Sequence, residues 1–295
     1  MSTTSPPDSN APQTGVEGIH DVVLILTALT LLLRPPDIPF LTPVWMVSAG
    51  LVTVVPAFRA RAVAWFFLSA LVALRLAATW PGADNHHYLL LYWCLGIALA
   101  LQTGKARTTL AASARWLLGA AFAFAVLWKG VLAPDYMDGR FFRVTLLTDS
   151  RFEAAARVLG GLSPEQLAAN VALLEPSVAG TSGIKVPNGA IETTRSRWMA
   201  RLLTWGGVGI EAALALLCFL PRKAFVVVAQ HAATLAFCGV TYAFAPVPGF
   251  GWLIATMGLA QVSPDETRLR TAYVAAFFLV MAYFYLPWTS VLGAE

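Results

Sequence analysis

The residues with chemistry to offer are few, and most interrupt sequence that is otherwise apolar. His86 and His87 stand side by side behind Asp84 and Asn85 in "GADNHHYLLLYWCLG". Arg75 breaks "SALVALRLAATW", Lys129 breaks "AVLWKGVLAPDY", Glu211 follows "GGVGI", and His231 sits inside "VVVAQHAATLAF". A lysine held in apolar surroundings beside another cation is driven towards its neutral amine, and a neutral amine is a competent general base. Imidazoles nearby can donate hydrogen bonds to a developing oxyanion. That pairing suits a lipid-soluble acid such as a hydroquinone. Metal ligation is the rival chemistry. Two adjacent histidines on a helix point about 100° apart and do not converge as an i, i+4 pair would. Asp84 and His231 are the other candidate ligands, but His231 lies deeper, so no metal is expected.

These groups must be positioned by helices in a membrane. Of 295 residues, 58% are hydrophobic and 12% charged. A soluble domain carries about 25% charged residues, so this chain cannot clothe a water-facing surface of ordinary polarity. The net charge of +4 is small and comes in short clusters between apolar runs. That pattern marks topology rather than nucleic-acid binding. Cys94, Cys218 and Cys238 lie in apolar stretches without CxxC spacing and read as buried small hydrophobes.

Apolar segments fall at 19–34, 38–57, 62–80, 88–102, 112–132, 199–220, 224–245, 249–262 and 271–290. A span needs about 20 apolar residues, and three of these are short. The expected fold is therefore all-α, a polytopic bundle of eight or nine transmembrane helices. Arg59 and Arg61, then Lys105, Arg107 and Arg115, then Arg222 and Lys223, then Arg268 and Arg270 occupy alternate loops. The short loops between them carry no Lys or Arg, and Arg34 alone breaks the pattern. The positive-inside rule then places the N-terminus in the cytoplasm and, with nine spans, the C-terminus outside. The plasma (inner) membrane is the expected location.

Residues 1–18, rich in Ser, Thr and Pro and free of Lys and Arg, read as a disordered cytoplasmic tail rather than a leader. Residues 19–295 form the transmembrane domain. Its long loop, 133–198, falls on the outer side. Within it, "SPEQLAANVALLE" offers Ser163 as N-cap, Pro164 at the first helical position and Gln166 to complete a capping box. A second short helix is expected near 151–160, and 176–197 is expected to be irregular.

A charge near the centre of a span costs about 2.5–3.5 kcal/mol on insertion scales, so each intramembrane ion needs a reason. Structural reasons are open for all of them. Lys129 can reach the outer interface beside Trp128. Arg75 and Glu211 can pair, His231 can be a hydrogen-bonded interior histidine, and the two histidines can anchor a helix. The functional reading rests on the topology gathering Arg75, His86, His87 and Lys129 in the outer half of three consecutive segments.

At these residues the chain resembles the vitamin K-dependent gamma-carboxylase family, whose membrane part is the wider HTTM domain found in many bacteria. "DNHHYLLLYWCLGIAL" is similar to the family's Asn-His-x-Tyr-Leu stretch, with Asn85, His86, Tyr88 and Leu89 in order. "AVLWKGVLAPDYMDGRFF" resembles the family's lysine-bearing helix end, followed here by Asp135, Tyr136, Asp138 and Gly139. "GIEAALALLCFLPRKAFVVVAQHAATL" is similar to a glutamate-bearing helix before a histidine-bearing one, here Glu211 and His231. The ordered blocks cover most of residues 20–290.

The resemblance implies a reduced quinone, vitamin K-like, as cofactor. It implies Lys129 as the base that deprotonates it before oxygen adds, and His86 as the group that assists the charged intermediates. Arg75, Asn85, His87, Tyr88, Glu211 and His231 would support them. Lys129 stands one or two residues further from the Asp–aromatic pair than in the family. The chain runs to Glu295 directly after the last apolar segment, without the family's large extracytoplasmic domain, so carboxylation of a docked protein is not expected. Three functional classes are open: an enzyme deprotonating and oxygenating a quinol-like lipid, a non-enzymatic scaffold or subunit of an export or modification system, and a small-molecule transporter. The lipid bilayer is the one expected partner. No nucleic acid is expected, and the sequence names no protein partner.

Overall fold

The computed structural model describes residues 19–174, 186, 189–244 and 247–285; the expected tail and most of the expected irregular stretch lie outside them. Among the described residues there are helices and turns and no strands. The first helices are α1 (Ile19–Leu33), α2 (Leu41–Val54), α3 (Pro56–Arg59), α4 (Ala62–Thr79) and α5 (Asn85–Leu101). Next comes α6 (Ala106–Leu127), which runs into a π turn, Trp128–Leu132. The connecting region holds α7 (Pro134–Met137), α8 (Arg140–Thr148), a 3₁₀ turn at Ser150–Phe152, α9 (Glu153–Val158) and α10 (Pro164–Leu174). The chain returns to long helices with α11 (Thr194–Phe219), α12 (Ala224–Phe244), α13 (Pro248–Ala260) and α14 (Thr267–Tyr285).

Each of the nine apolar segments holds one main helix. Four stretches, Ala62–Thr79, Ala106–Leu132, Thr194–Phe219 and Ala224–Tyr242, are long and apolar enough to cross a membrane. Asp21–Leu33, Leu41–Val54 and Gly249–Ala260 are apolar but shorter. At 1.5 Å per residue the 13 residues of α13 reach about 20 Å, against about 30 Å of bilayer hydrocarbon.

That short helix is the axis of the bundle. From Gly251 to Val262 every residue is buried, and α1, α5, α6, α12 and α14 all pack on α13. A helix apolar on every face belongs inside. Close approach needs a bare backbone, and at Gly258 a Cβ would come within 2.2 Å of the Tyr273 ring.

Buried tryptophans tie the first helices together. Trp45 donates to the Leu31 carbonyl (2.7 Å), Trp65 to the Arg59 carbonyl (2.9 Å) and Trp93 to Thr27 Oγ1 (2.9 Å). A buried indole N–H without a partner is costly, so these bonds fix which faces meet. Arg59, counted from the sequence among the basic loop charges, is buried. It pairs with Asp21 at 3.0 Å and caps the end of α2 through the Thr53 carbonyl at 3.0 Å. The three cysteines are free and buried.

The connecting region is ordered by polar contacts. Ser163 N–H donates to Gln166 Oε1 at 2.9 Å and Gln166 N–H to Ser163 Oγ at 3.3 Å, the reciprocal capping box read from the sequence. Buried Asn170 on α10 takes the Ile191 N–H (2.7 Å) and donates to its carbonyl (2.9 Å), so one side chain serves both polar groups of that residue. Arg143 of α8 grips Glu192 through two bonds of 3.0 and 2.7 Å, and the bidentate geometry holds α8 to the start of α11.

Candidate functional site

Lys129 lies in the π turn that ends α6, where the Ala133 N–H bonds the Trp128 carbonyl five residues back. The extra residue re-aims the chain beyond it, and such turns recur where a side chain must leave the regular helical face. Pro134 then stops the helix, since it has no N–H to continue it. The Lys129 amine donates to both carboxylate oxygens of Glu211, at 2.5 and 2.6 Å. Glu211 projects from the middle of α11, the helix packed along α6. The side chains keep 20% and 10% of their accessibility, so the pair is largely withdrawn from solvent.

Tyr136 completes this group. Its ring lies 4.8 Å from the Lys129 amine and stacks on Phe141 at 5.2 Å. Burial, and then the Glu211 charge, push the Tyr136 phenol up, so it stays a neutral hydroxyl. Sequence reasoning leaves Tyr136 out of the site, although it belongs to the Asp–aromatic block after Lys129.

The histidines form a second group. His86 and His87 open α5, with ring centroids 4.2 Å apart. His87, read from sequence as the interfacial neighbour, is the more buried of the two at 6% exposure. The charges of Asp84, Arg34 and Arg75 reach both rings. Arg75 donates to the Arg34 carbonyl at 3.0 Å and lies over the Trp45 ring at 5.8 Å. It does not pair with Glu211, the alternative open at the sequence level, because Glu211 is taken by Lys129. Asn85 is exposed at the start of α5, and Tyr88 meets Trp80 edge-on at 6.3 Å. His231 belongs to neither group: buried on α12, it bonds the Tyr273 hydroxyl of α14 at 2.8 Å.

Direct contacts gather these residues into two groups. Among the described residues no hydrogen bond, ion pair or ring contact joins Lys129 to His86. Arg34, Arg75, Asp84 and the histidines lie together at one end of the bundle. Two clefts lie apart from both groups. One, of about 270 Å³, sits between α8 and α10 beside Leu146, Asp149 and Leu167. The other, about 700 Å³ and open, runs between α5 and α6 beside Tyr92, Lys105 and Trp116.

Compared with known proteins, the chain matches no family model, no curated protein and no solved structure.

Proposed function

We propose that this chain is an integral membrane protein of the HTTM, gamma-carboxylase-like kind that binds and deprotonates a hydroquinone-like lipid. The observation that carries the reading is the Lys129–Glu211 ion pair, joined at 2.5 Å in a chain with four span-length apolar helices. An ion pair kept out of water between two such helices is costly unless it has a function or fixes a register. We propose nine spans, with the N-terminus cytoplasmic, the C-terminus outside and the plasma membrane as location; the four span-length helices, the three shorter apolar ones and the alternation of basic loops along the chain support this topology. A lipid ligand would approach past Trp128, Val131 and Leu132, which are exposed around Lys129.

The pairing redistributes the roles implied by the resemblance. A hydroquinone hydroxyl docked on the pair loses its proton to the Glu211 carboxylate, and the Lys129 ammonium holds the phenolate that remains. The neutral Tyr136 hydroxyl is available to bond the same oxygen. Proton transfer by a placed side chain is worth about 10²–10⁴-fold in rate. The quinol would supply the oxidisable ring, and its oxygenation is the step that the resemblance implies next. The test is product formation by membranes given reduced quinone and oxygen. Glu211→Gln and Lys129→Met should each lower it by about 100-fold, and unchanged turnover in both removes the pair from any chemistry.

A scaffold reading has its own support, because both carboxylate oxygens are already engaged by Lys129. It expects the same variants to lose stability in a chain that never turned over quinol.

A further inference from the structure

Asp84, His86 and His87 share a feature that spacing alone conceals. Asp84 occupies the N-cap of α5, where an aspartate ordinarily accepts an N–H from the first helical turn. Here its side chain makes no capping bond. The Nε2 atoms of His86 and His87 are both buried and both lack a hydrogen-bond partner. A buried polar atom left unpaired costs about 1–3 kcal/mol, and two such imidazole nitrogens beside a carboxylate that makes no capping bond need a common explanation.

One ligand-type atom from each of the three residues lies within 4.8 Å of the others. The 100° between neighbouring helical positions separates Cβ directions, not ring nitrogens, and side-chain rotation has brought the two rings together. Around a tetrahedral ion with bonds of about 2.0–2.1 Å, ligand atoms stand about 3.3 Å apart. Small further rotations would close the gap. The donors are two imidazoles and one carboxylate, a set that suits borderline divalent transition ions and not the oxygen-seeking Ca²⁺ or Mg²⁺.

An anion is the competing occupant, since Arg34 and Arg75 also face the cluster. Two observations decide against it. Arg75 is turned to the Arg34 carbonyl and the Trp45 ring. The Asp84 carboxylate, within 4.8 Å of both imidazoles, would repel an anion placed between them. The surroundings also keep the imidazoles in place. A Cβ at Gly249, on the first turn of α13, would come within 2.8 Å of the His86 ring, so the bare glycine makes the room that His86 occupies.

We propose that Asp84, His86 and His87 form a binding site for a divalent transition-metal ion of the zinc class at the entrance of α5, with at least one coordination position left open. The site shares no residue with the Lys129–Glu211 pair, so either reading can fail alone.

The experiment uses the full chain in detergent, purified through a tag free of histidine and stripped with a chelator. Zn²⁺ is titrated by equilibrium dialysis, and Co²⁺ serves as a spectroscopic probe. One ion should bind per chain, and Co²⁺ should give the intense visible bands of low-coordinate geometry. Asp84→Asn and His86→Ala should each weaken binding by about tenfold or more. Gly249→Val, which displaces the His86 ring and leaves the donors intact, should weaken it too. His231→Gln should leave it unchanged. Asp84 is exposed, so Asp84→Asn will fold even where a His87 variant does not, and an unaltered helical spectrum checks this. Far less than one ion per chain, or binding indifferent to Asp84→Asn and His86→Ala, overturns the site.

Discussion

Lys129 and Glu211 are 82 positions apart and meet at 2.5 Å, and what each needs from the other is set by depth. Removing one partner strands the other as an uncompensated ion, at a cost of about 3–5 kcal/mol for a buried pair. The one-fifth of the lysine still accessible softens this, so Glu211→Gln should lose about 2–3 kcal/mol. The double variant Lys129→Met/Glu211→Leu replaces both ions with apolar groups and should return to within about 1 kcal/mol of the parent. Unfolding in mild detergent, followed by circular dichroism, measures the cycle; additive losses would mean that the two residues do not depend on each other. Residue types at this scale are legible in the sequence: Lys129, Glu211, His86 and Arg75 all stand out as charges or imidazoles in apolar runs. Their partners are not. Pairing depends on which faces of α6 and α11 meet and on the π turn that re-aims Lys129, and neither leaves a mark in local spacing. Tyr136 escapes a sequence reading for the same reason, because its value comes from standing under an amine seven residues away.

At the scale of elements, the apolar period locates every long helix, and Ser163 and Gln166 announce the start of α10. What the pattern does not give is how the helices of the connecting region are held, since that rests on side chains bonding distant backbone. Asn170 is the clearest instance. Wholly buried, it serves both polar groups of Ile191 with bonds of 2.7 and 2.9 Å. Asn170→Leu keeps the branched shape of the side chain and raises the helix propensity of α10, but leaves an N–H and a carbonyl unpaired, at about 1–3 kcal/mol each if they stay dry. The expected result is a local loss of about 2 kcal/mol, read as faster hydrogen exchange in α10 and around Ile191. Exchange in α13, at the centre of the bundle, should not change. Uniformly faster exchange across both would show that α10 is part of the global unfolding unit, against the view that it is a cap fastened by few bonds. Arg59 teaches the converse lesson: a basic residue that counts as loop charge is a buried cap on α2, so a charge cluster can mark one end of a bundle without lying in water.

For the molecule as a whole, charge alternation and packing sort its ends independently. The alternation assigns loops to sides by counting Lys and Arg, and the packing assigns them by contact. They agree that Asp84, His86 and Gly249 lie together, since the His86 ring rests against Gly249. They agree equally that Gln230 and Gln261, bonded at 2.8 Å, lie together near the basic loops. Arg34, the exception to the charge rule, sits at the histidine end, where its carbonyl holds Arg75. One exception against four agreeing clusters leaves the proposed orientation as it stands, because orientation follows the summed bias rather than any single residue. The prediction is therefore that Glu153→Cys, in the connecting region, reacts with a membrane-impermeant thiol reagent added outside intact cells. Lys105→Cys should react only after the membrane is opened. Cys94, Cys218 and Cys238 are buried and free, so they add little background, and a variant with all three replaced by Ala removes what remains. Labelling of Lys105→Cys from outside, with Glu153→Cys protected, would invert the bundle. It would also put the Lys129 and His86 groups at the cytoplasmic face, where any lipid-soluble acid would have to reach them from the inner leaflet.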